Sequence, residues 1–149
     1  MKVIFLDFDG VLNNEPYLQK VGNYRTLDPE SIDQLNRVLE ATEAKSVVSS
    51  TWRYMYPSVR DLNELLESHG LPKGCVTGLT PRVLDYNVHY TRGAEIALWL
   101  ERHGSIKNWV AVDDESAMEP LPSERVVKTE WVVGLQKEHA DKMIEVLNG

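Results

Sequence analysis

Three short runs, VIFLDF at residues 3–8, KSVVSS at 45–50 and WVAVDD at 109–114, carry apolar residues and close on carboxylates or hydroxyls. That is the pattern of a strand buried on both faces with chemistry at its carboxyl end. Between the runs the apolar period changes to that of a helix. Ile32, Leu35 and Leu39 follow the start signal Asp28-Pro29; Val59, Leu62, Leu65 and Leu66 precede Gly70; Ile96, Trp99 and Leu100 precede Gly104. The closing segment LQKEHADKMIEVL sets Leu135, Met143, Ile144 and Leu147 on one helical stripe and predicts a docked C-terminal helix. CVTGLT and RVVKT add two shorter strands, each broken by small or polar residues. Strands alternating with helices predict an α/β fold: a three-layer Rossmann-like sandwich whose central sheet is mainly parallel, with helices on both faces. Ligands of such sheets bind beyond the strand carboxyl ends, where the strand order switches direction. Asp7 with Asp9, Ser49 with Ser50, and Asp113 with Asp114 are expected to open onto that crevice.

Composition narrows the picture. A chain of 149 residues is one domain of common size, spanning 1–149, and long enough to bury a sizeable core. With 42% apolar and 26% charged residues it reads as an ordinary globular protein, and no apolar run has the length to cross a bilayer. The N-terminus MKVIFLDFDG meets acidic residues at once, which argues against a secretory signal and predicts a cytoplasmic location. Cys75 has no thiol partner and reads as a packed apolar residue. The formal net charge of -7 disfavours broad attraction to nucleic acid or anionic membrane, while leaving room for a local basic groove. No obligate protein partner is evident. The histidines His69, His89, His103 and His139 lack metal-ligand spacing, and His69 and His103, beside Gly70 and Gly104, are expected to serve helix-terminal carbonyls.

Candidate chemistry starts from the two acids on the first run. A carboxylate in an apolar sheet is expensive to desolvate unless a cation, proton or donor compensates. Residues i and i+2 of a strand point the same way, so Asp7 and Asp9 face one location if the strand continues through them. Gly10 then permits a turn. Asp113 and Asp114 add carboxylates from another strand, and a hard-oxygen set of this kind suits Mg²⁺, an ion that works with phosphate. Ser49 and Ser50 alternate in direction, so one presents its hydroxyl; Ser50 is favoured because it begins the Ser-Thr-Trp-Arg segment. Arg53 has two destinations, substrate or an intramolecular carboxylate.

These residues carry a resemblance. VIFLDFDGVLN resembles the first motif of the haloacid dehalogenase (HAD) superfamily, a hydrophobic strand followed by Asp-x-Asp-Gly-Val/Thr. VVSSTWR is similar to the second motif, WVAVDDES to the acidic fourth, and Arg92 in YTRGAEIALWL stands where the third motif has its Lys or Arg. The resemblance implies a Mg²⁺-dependent phosphomonoesterase working through an aspartyl phosphate. Asp7 is then the nucleophile and Asp9 the general acid and base. Ser49 or Ser50, Arg92, Gly10 and Arg53 form the phosphate-binding set, and Asp7, Asp9, Asp113 and Asp114 the metal set. The alternatives are a noncatalytic phosphate-sensing or signalling module of the same fold, which the presence of both Asp7 and Asp9 disfavours, and a phosphomutase using the same intermediate.

The substrate is approached through what the chain has no room for. Between Leu12 and Asp28 the segment NNEPYLQKVGNYRT is enough for a flap, and the span from Arg53 to Arg92 is filled by a helix, a strand and a loop. The cap found on many HAD enzymes is therefore expected to be minimal or absent, and an open site admits a bulky phosphorylated partner. The Ser-Thr-Trp-Arg segment and the Arg92-Gly-x-Glu-Ile-x-x-Trp-Leu pattern look similar to small HAD domains grouped with RNA-repair proteins, which implies a nucleic-acid end phosphate as substrate. Tyr17, Tyr24, Trp52, Tyr54, Tyr56, Tyr86 and Tyr90, with Arg25, Arg53, Arg60 and Arg82 nearby in sequence, have the chemistry to stack bases. The plainer expectation, favoured by the acidic total, packs Trp52 under the phosphate loop and leaves the tyrosines at the rim.

Overall fold

The computed structural model describes residues 1–82 and 91–149, and within them the elements follow the alternation read from the sequence. Strands β1 (Lys2–Leu6), β2 (Lys45–Val48), β3 (Val76–Leu79), β4 (Asn108–Asp113) and β5 (Val126–Lys128) form one sheet in the order β3-β2-β1-β4-β5. Every pairing is parallel. The helices are α1 (Glu15–Val21), α2 (Pro29–Thr42), α3 (Val59–Ser68), α4 (Arg92–Arg102) and α5 (Lys137–Asn148), with 3₁₀ turns at Thr51–Tyr54 and Ser123–Arg125.

Alternation along each strand sorts the core into two layers. Ile4, Leu6, Val48, Val110 and Val112 face Leu35 and Leu39 of α2, Leu62 and Leu66 of α3, and Met143 and Leu147 of α5. Their neighbours Val3, Phe5, Val47, Trp109 and Ala111 face the other way, onto Ile96 and Trp99 of α4 and Met118 of the β4–β5 connection. Phe5 meets Trp99 and Trp109 edge-on, with ring centroids 5.3 and 5.7 Å away, an arrangement that matches the positive edge of one ring to the negative face of another. Among the described residues, α4 is the one helix on that second face.

The helix ends obey local chemistry. Asp28 caps α2 by accepting from the Glu30 N–H at 3.0 Å, with Pro29 at its first position. His69 and His103 close α3 and α4, their Nδ1 atoms 2.9 Å from the Leu65 carbonyl and 2.8 Å from that of Trp99, as the sequence reading expected. His89, Tyr86 and Tyr90 lie outside the described residues. Cys75 is buried, and burial pushes its thiol up to about 11, the state of an inert packed residue. None of the described helices is long and apolar enough to cross a membrane.

Two expectations need correction. The first strand stops at Leu6 rather than continuing through Asp9, and the second at Val48. Asp7 keeps one ladder bond, from its N–H to the Val112 carbonyl at 3.2 Å, and the chain then turns out of the sheet. The segment read as a flap contains helix α1, capped by Asn14, whose side chain accepts from the Tyr17 N–H at 2.9 Å, and closed by Gly22 at φ 72°.

Candidate active site

The chain fills the sheet from β1 through β2 to β3 in one direction and then crosses to β4 and β5 on the other side, so the order switches between β1 and β4. Connections leaving these two strands diverge and open a crevice. Register fixes what lines it. Leu6 lies opposite Val112 on one side and Val48 on the other, so the residues one step beyond, Asp7, Asp113 and Ser49, end level with one another.

Asp7 and Asp113 are 2% and 1% exposed, and Asp114 is half-buried beside them. One carboxylate oxygen from each lies within 4.8 Å of the other two. Arg92, at the first position of α4, reaches in with Nη1 2.9 Å from Asp7 Oδ1 and 3.0 Å from Asp113 Oδ2. Burial, followed by the Asp113 charge, holds the Asp7 carboxyl well above its ordinary range despite Arg92. Burial and Asp113 also raise Asp114. Burial alone would lower Arg92, but Asp7 and Asp113 outweigh it and keep the guanidinium charged. Three acids beside one cation form a set of carboxylate oxygens whose spacing fits a small hard divalent cation.

Gly10 is required by close approach. Its φ is 81°, and a Cβ there would lie 2.2 Å from Asp114 Oδ2, so a side chain would evict that carboxylate. Its N–H donates to Asn13 Oδ1 at 3.0 Å, and its carbonyl accepts from the Thr129 hydroxyl at 2.6 Å. Thr129 in turn donates its N–H to the Asp113 carbonyl at 2.9 Å, tying the two acidic loops together.

Asp9, expected in the metal set, is not among the three clustered acids. Its Oδ1 accepts from Asn13 Nδ2 at 2.9 Å and from the Trp52 indole N–H at 3.0 Å. Trp52 is 2% exposed between Phe8 and Tyr56, the packing expected of it, and its N–H is spent on Asp9. Ser50 Oγ accepts from the Trp52 backbone N–H at 3.1 Å and caps the 3₁₀ turn, which leaves its own hydrogen free to donate. Ser49 Oγ is buried with no hydrogen-bond partner among the described residues.

Arg53 goes to the second of its two destinations. Its Nη2 donates to Glu95 Oε1 at 2.8 Å, the two side chains being 5% and 12% exposed, and its Nη1 donates to the carbonyls of Ser49 and Ser50. Glu95 lies three positions after Arg92 on α4, so this ion pair braces the serine turn against the helix that carries Arg92. The start of α4 is itself fixed: Thr91 Oγ1 donates to the Glu119 carbonyl at 2.9 Å, and a Cβ at Gly93 would lie 2.1 Å from the Met118 carbonyl oxygen. Asn13, Glu95, Thr129 and the Trp52 N–H are parts of the site that sequence reasoning did not assign. Asn13 carried a signal as the last residue of the VIFLDFDGVLN string, and Glu95 as the Glu of the Arg92-Gly-x-Glu-Ile-x-x-Trp-Leu pattern.

No curated protein and no solved structure matches the chain. A family model described as the HAD domain in Swiss Army Knife RNA repair proteins matches residues 3–140. With the five-stranded parallel sheet and the cluster of acids at its switch point, this identifies the chain as a member of that family and supports a phosphohydrolase of the HAD type.

Proposed function

We propose that the protein is a Mg²⁺-dependent phosphomonoesterase that removes a terminal phosphate from nucleic acid, with Asp7 as nucleophile. The observation that carries the reading is the convergence of Asp7, Asp113, Asp114 and Arg92 at the switch point while Asp9 is held separately beside them. The family match to a domain of RNA repair proteins supports the nucleic-acid substrate.

Asp7, Asp113 and Asp114 are the residues that would hold the metal, and a bound Mg²⁺ would supply positive charge against the phosphoryl oxygens and the attacking carboxylate. A carboxylate attacking a phosphate monoester faces charge repulsion, and Arg92, already on Asp7, shares its remaining donors with the phosphoryl oxygens. The hydroxyl of Ser50, its lone pair engaged by the Trp52 N–H, donates to another; Ser49, whose Oγ has no hydrogen-bond partner among the described residues, is the alternative donor. Asp7 forms a bond to phosphorus as the bond to the leaving oxygen breaks, and Asp9 gives that oxygen its proton. Asp9 then takes a proton from water, which attacks the aspartyl phosphate and frees Asp7 and inorganic phosphate. The donors on Asp9 Oδ1 fix the carboxyl rotamer and leave Oδ2 to carry the proton. Arg53 acts on the phosphoryl group through the Ser49–Ser50 turn that it braces.

Phosphate release from p-nitrophenyl phosphate and from end-phosphorylated oligonucleotides, with Mg²⁺ or EDTA, tests the reading. Release that needs Mg²⁺, vanishes in Asp7→Asn and favours the oligonucleotide is expected. Appreciable turnover by Asp7→Asn would remove the nucleophile.

A further inference from the structure

We propose that Tyr54 and Arg82 form a stacking platform for a base near the phosphorylated end of a single-stranded nucleic acid. The inference rests on the phosphohydrolase reading above and names what the same site recognises beyond the phosphate.

Tyr54 is 45% exposed, yet its ring is not a loose surface side chain. The guanidinium carbon of Arg82 stands 4.2 Å from the ring centroid, and that of the buried Arg53 is 5.1 Å from it. Arg53 Nη2 also lies 3.4 Å from the Tyr54 hydroxyl, while the same guanidinium is anchored on Glu95. Tyr54 is therefore in contact with a fixed cation and with an exposed one. Arg82 itself has no ion-pair partner among the described residues. A planar guanidinium set on an aromatic ring offers the π-surface and the positive charge on which bases stack.

The platform lies at the right place. The single 3₁₀ turn that ends at Tyr54 begins at the Ser50 cap, and its second residue, Trp52, donates to Asp9. Tyr54 is two residues beyond Trp52, about 4 Å along the axis of such a turn. A nucleotide whose phosphate meets Asp7 and the remaining donors of Arg92 would direct its base along this turn toward Tyr54. The pairing also reconciles the acidic total of the chain with a polyanionic substrate: local cations on one rim carry the recognition.

The test uses Asp7→Asn, which binds without turning over, and the Asp7→Asn/Tyr54→Ala double variant, in Mg²⁺. Oligonucleotides phosphorylated at the 3′ or the 5′ end are compared with the same strands lacking the terminal or the penultimate base. For the better-bound end, loss of the stacked base is expected to weaken binding about tenfold to Asp7→Asn and less than twofold to the double variant. Tyr54→Phe should behave as Tyr54 does. Equal binding of every abasic strand and its parent to Asp7→Asn overturns the platform, as does tighter binding of a phosphoserine peptide than of either oligonucleotide. Wild-type release from p-nitrophenyl phosphate separates the two levels: release with a silent base deletion removes the platform alone, and no release removes the phosphohydrolase reading.

Discussion

Replacing Glu95 by Gln removes the charge that neutralises Arg53. Arg53 is 5% exposed, its Nε has no hydrogen-bond partner among the described residues, and its Nη1 is committed to the carbonyls of Ser49 and Ser50. Glu95, at 2.8 Å, is its ion-pair partner, so Glu95→Gln keeps the shape and an acceptor oxygen while leaving a buried guanidinium uncompensated. Removing one member of a buried pair costs about 3 kcal/mol, which for a domain of this size lowers Tm by roughly 10 °C. Thermal unfolding followed by near-ultraviolet circular dichroism reads that shift directly. The pair Arg53→Met with Glu95→Leu removes both charges and should recover most of the Tm, because well-packed apolar replacements of buried pairs are tolerated. It should not recover activity: with the serine turn unbraced, kcat/KM is expected to stay about 10–100-fold down. A Tm within 2 °C of wild type for Glu95→Gln would show that water reaches the pair and refute its role as a buried brace.

Three further outcomes follow from particular contacts. Gly10→Ala forces a Cβ onto Asp114 and an L residue into a left-handed conformation, at about 1–2 kcal/mol for the backbone alone; Mg²⁺ titration by calorimetry should show binding lost, and wild-type affinity would refute the steric argument. Asn13→Ala removes the acceptor of the Gly10 N–H and a donor to Asp9, so kcat should fall about 10–100-fold with Mg²⁺ affinity kept; an unchanged kcat would free Asp9 from that support. In EDTA the folded state holds a proton on Asp7 that the unfolded chain has released, because the folded value is raised. That contribution is complete below the unfolded value of about 3.9 and disappears as pH rises through the folded one, so Tm should drop with rising pH above about 4 more steeply in wild type than in Asp7→Asn. Identical slopes would mean that Asp7 carries no strain.

The sheet was legible because buried parallel strands announce themselves as apolar runs, and VIFL, KSVV and WVAVD each became one. Their ends were not. Phe8 is as apolar as Phe5, but it leaves the sheet to pack on Trp52, and that choice is made by a tertiary contact. Helix α1 escaped although Asn14, Pro16 and Gly22 mark its ends, since Leu18 is its one buried residue and shows no stripe. In the site, acids at strand ends could be read because each stands in its own motif. The roles of Glu95 and the Trp52 N–H could not, because their partners lie 42 and 43 residues away in sequence.

Helix α4 has a second consequence. It delivers Arg92 to the crevice from its first turn and, through Ile96 and Trp99, covers Phe5 and Trp109 on a face that no other described helix shares. Any opening that bares those tryptophans also withdraws the cation from Asp7. The face and the phosphate site are thus one cooperative unit, and a bound phosphoryl group should lock it: amide exchange along α4 should slow by the factor 1 + [L]/Kd wherever that opening governs exchange. The smaller of the two core layers would then answer, by its rate of breathing, to whether the crevice is filled.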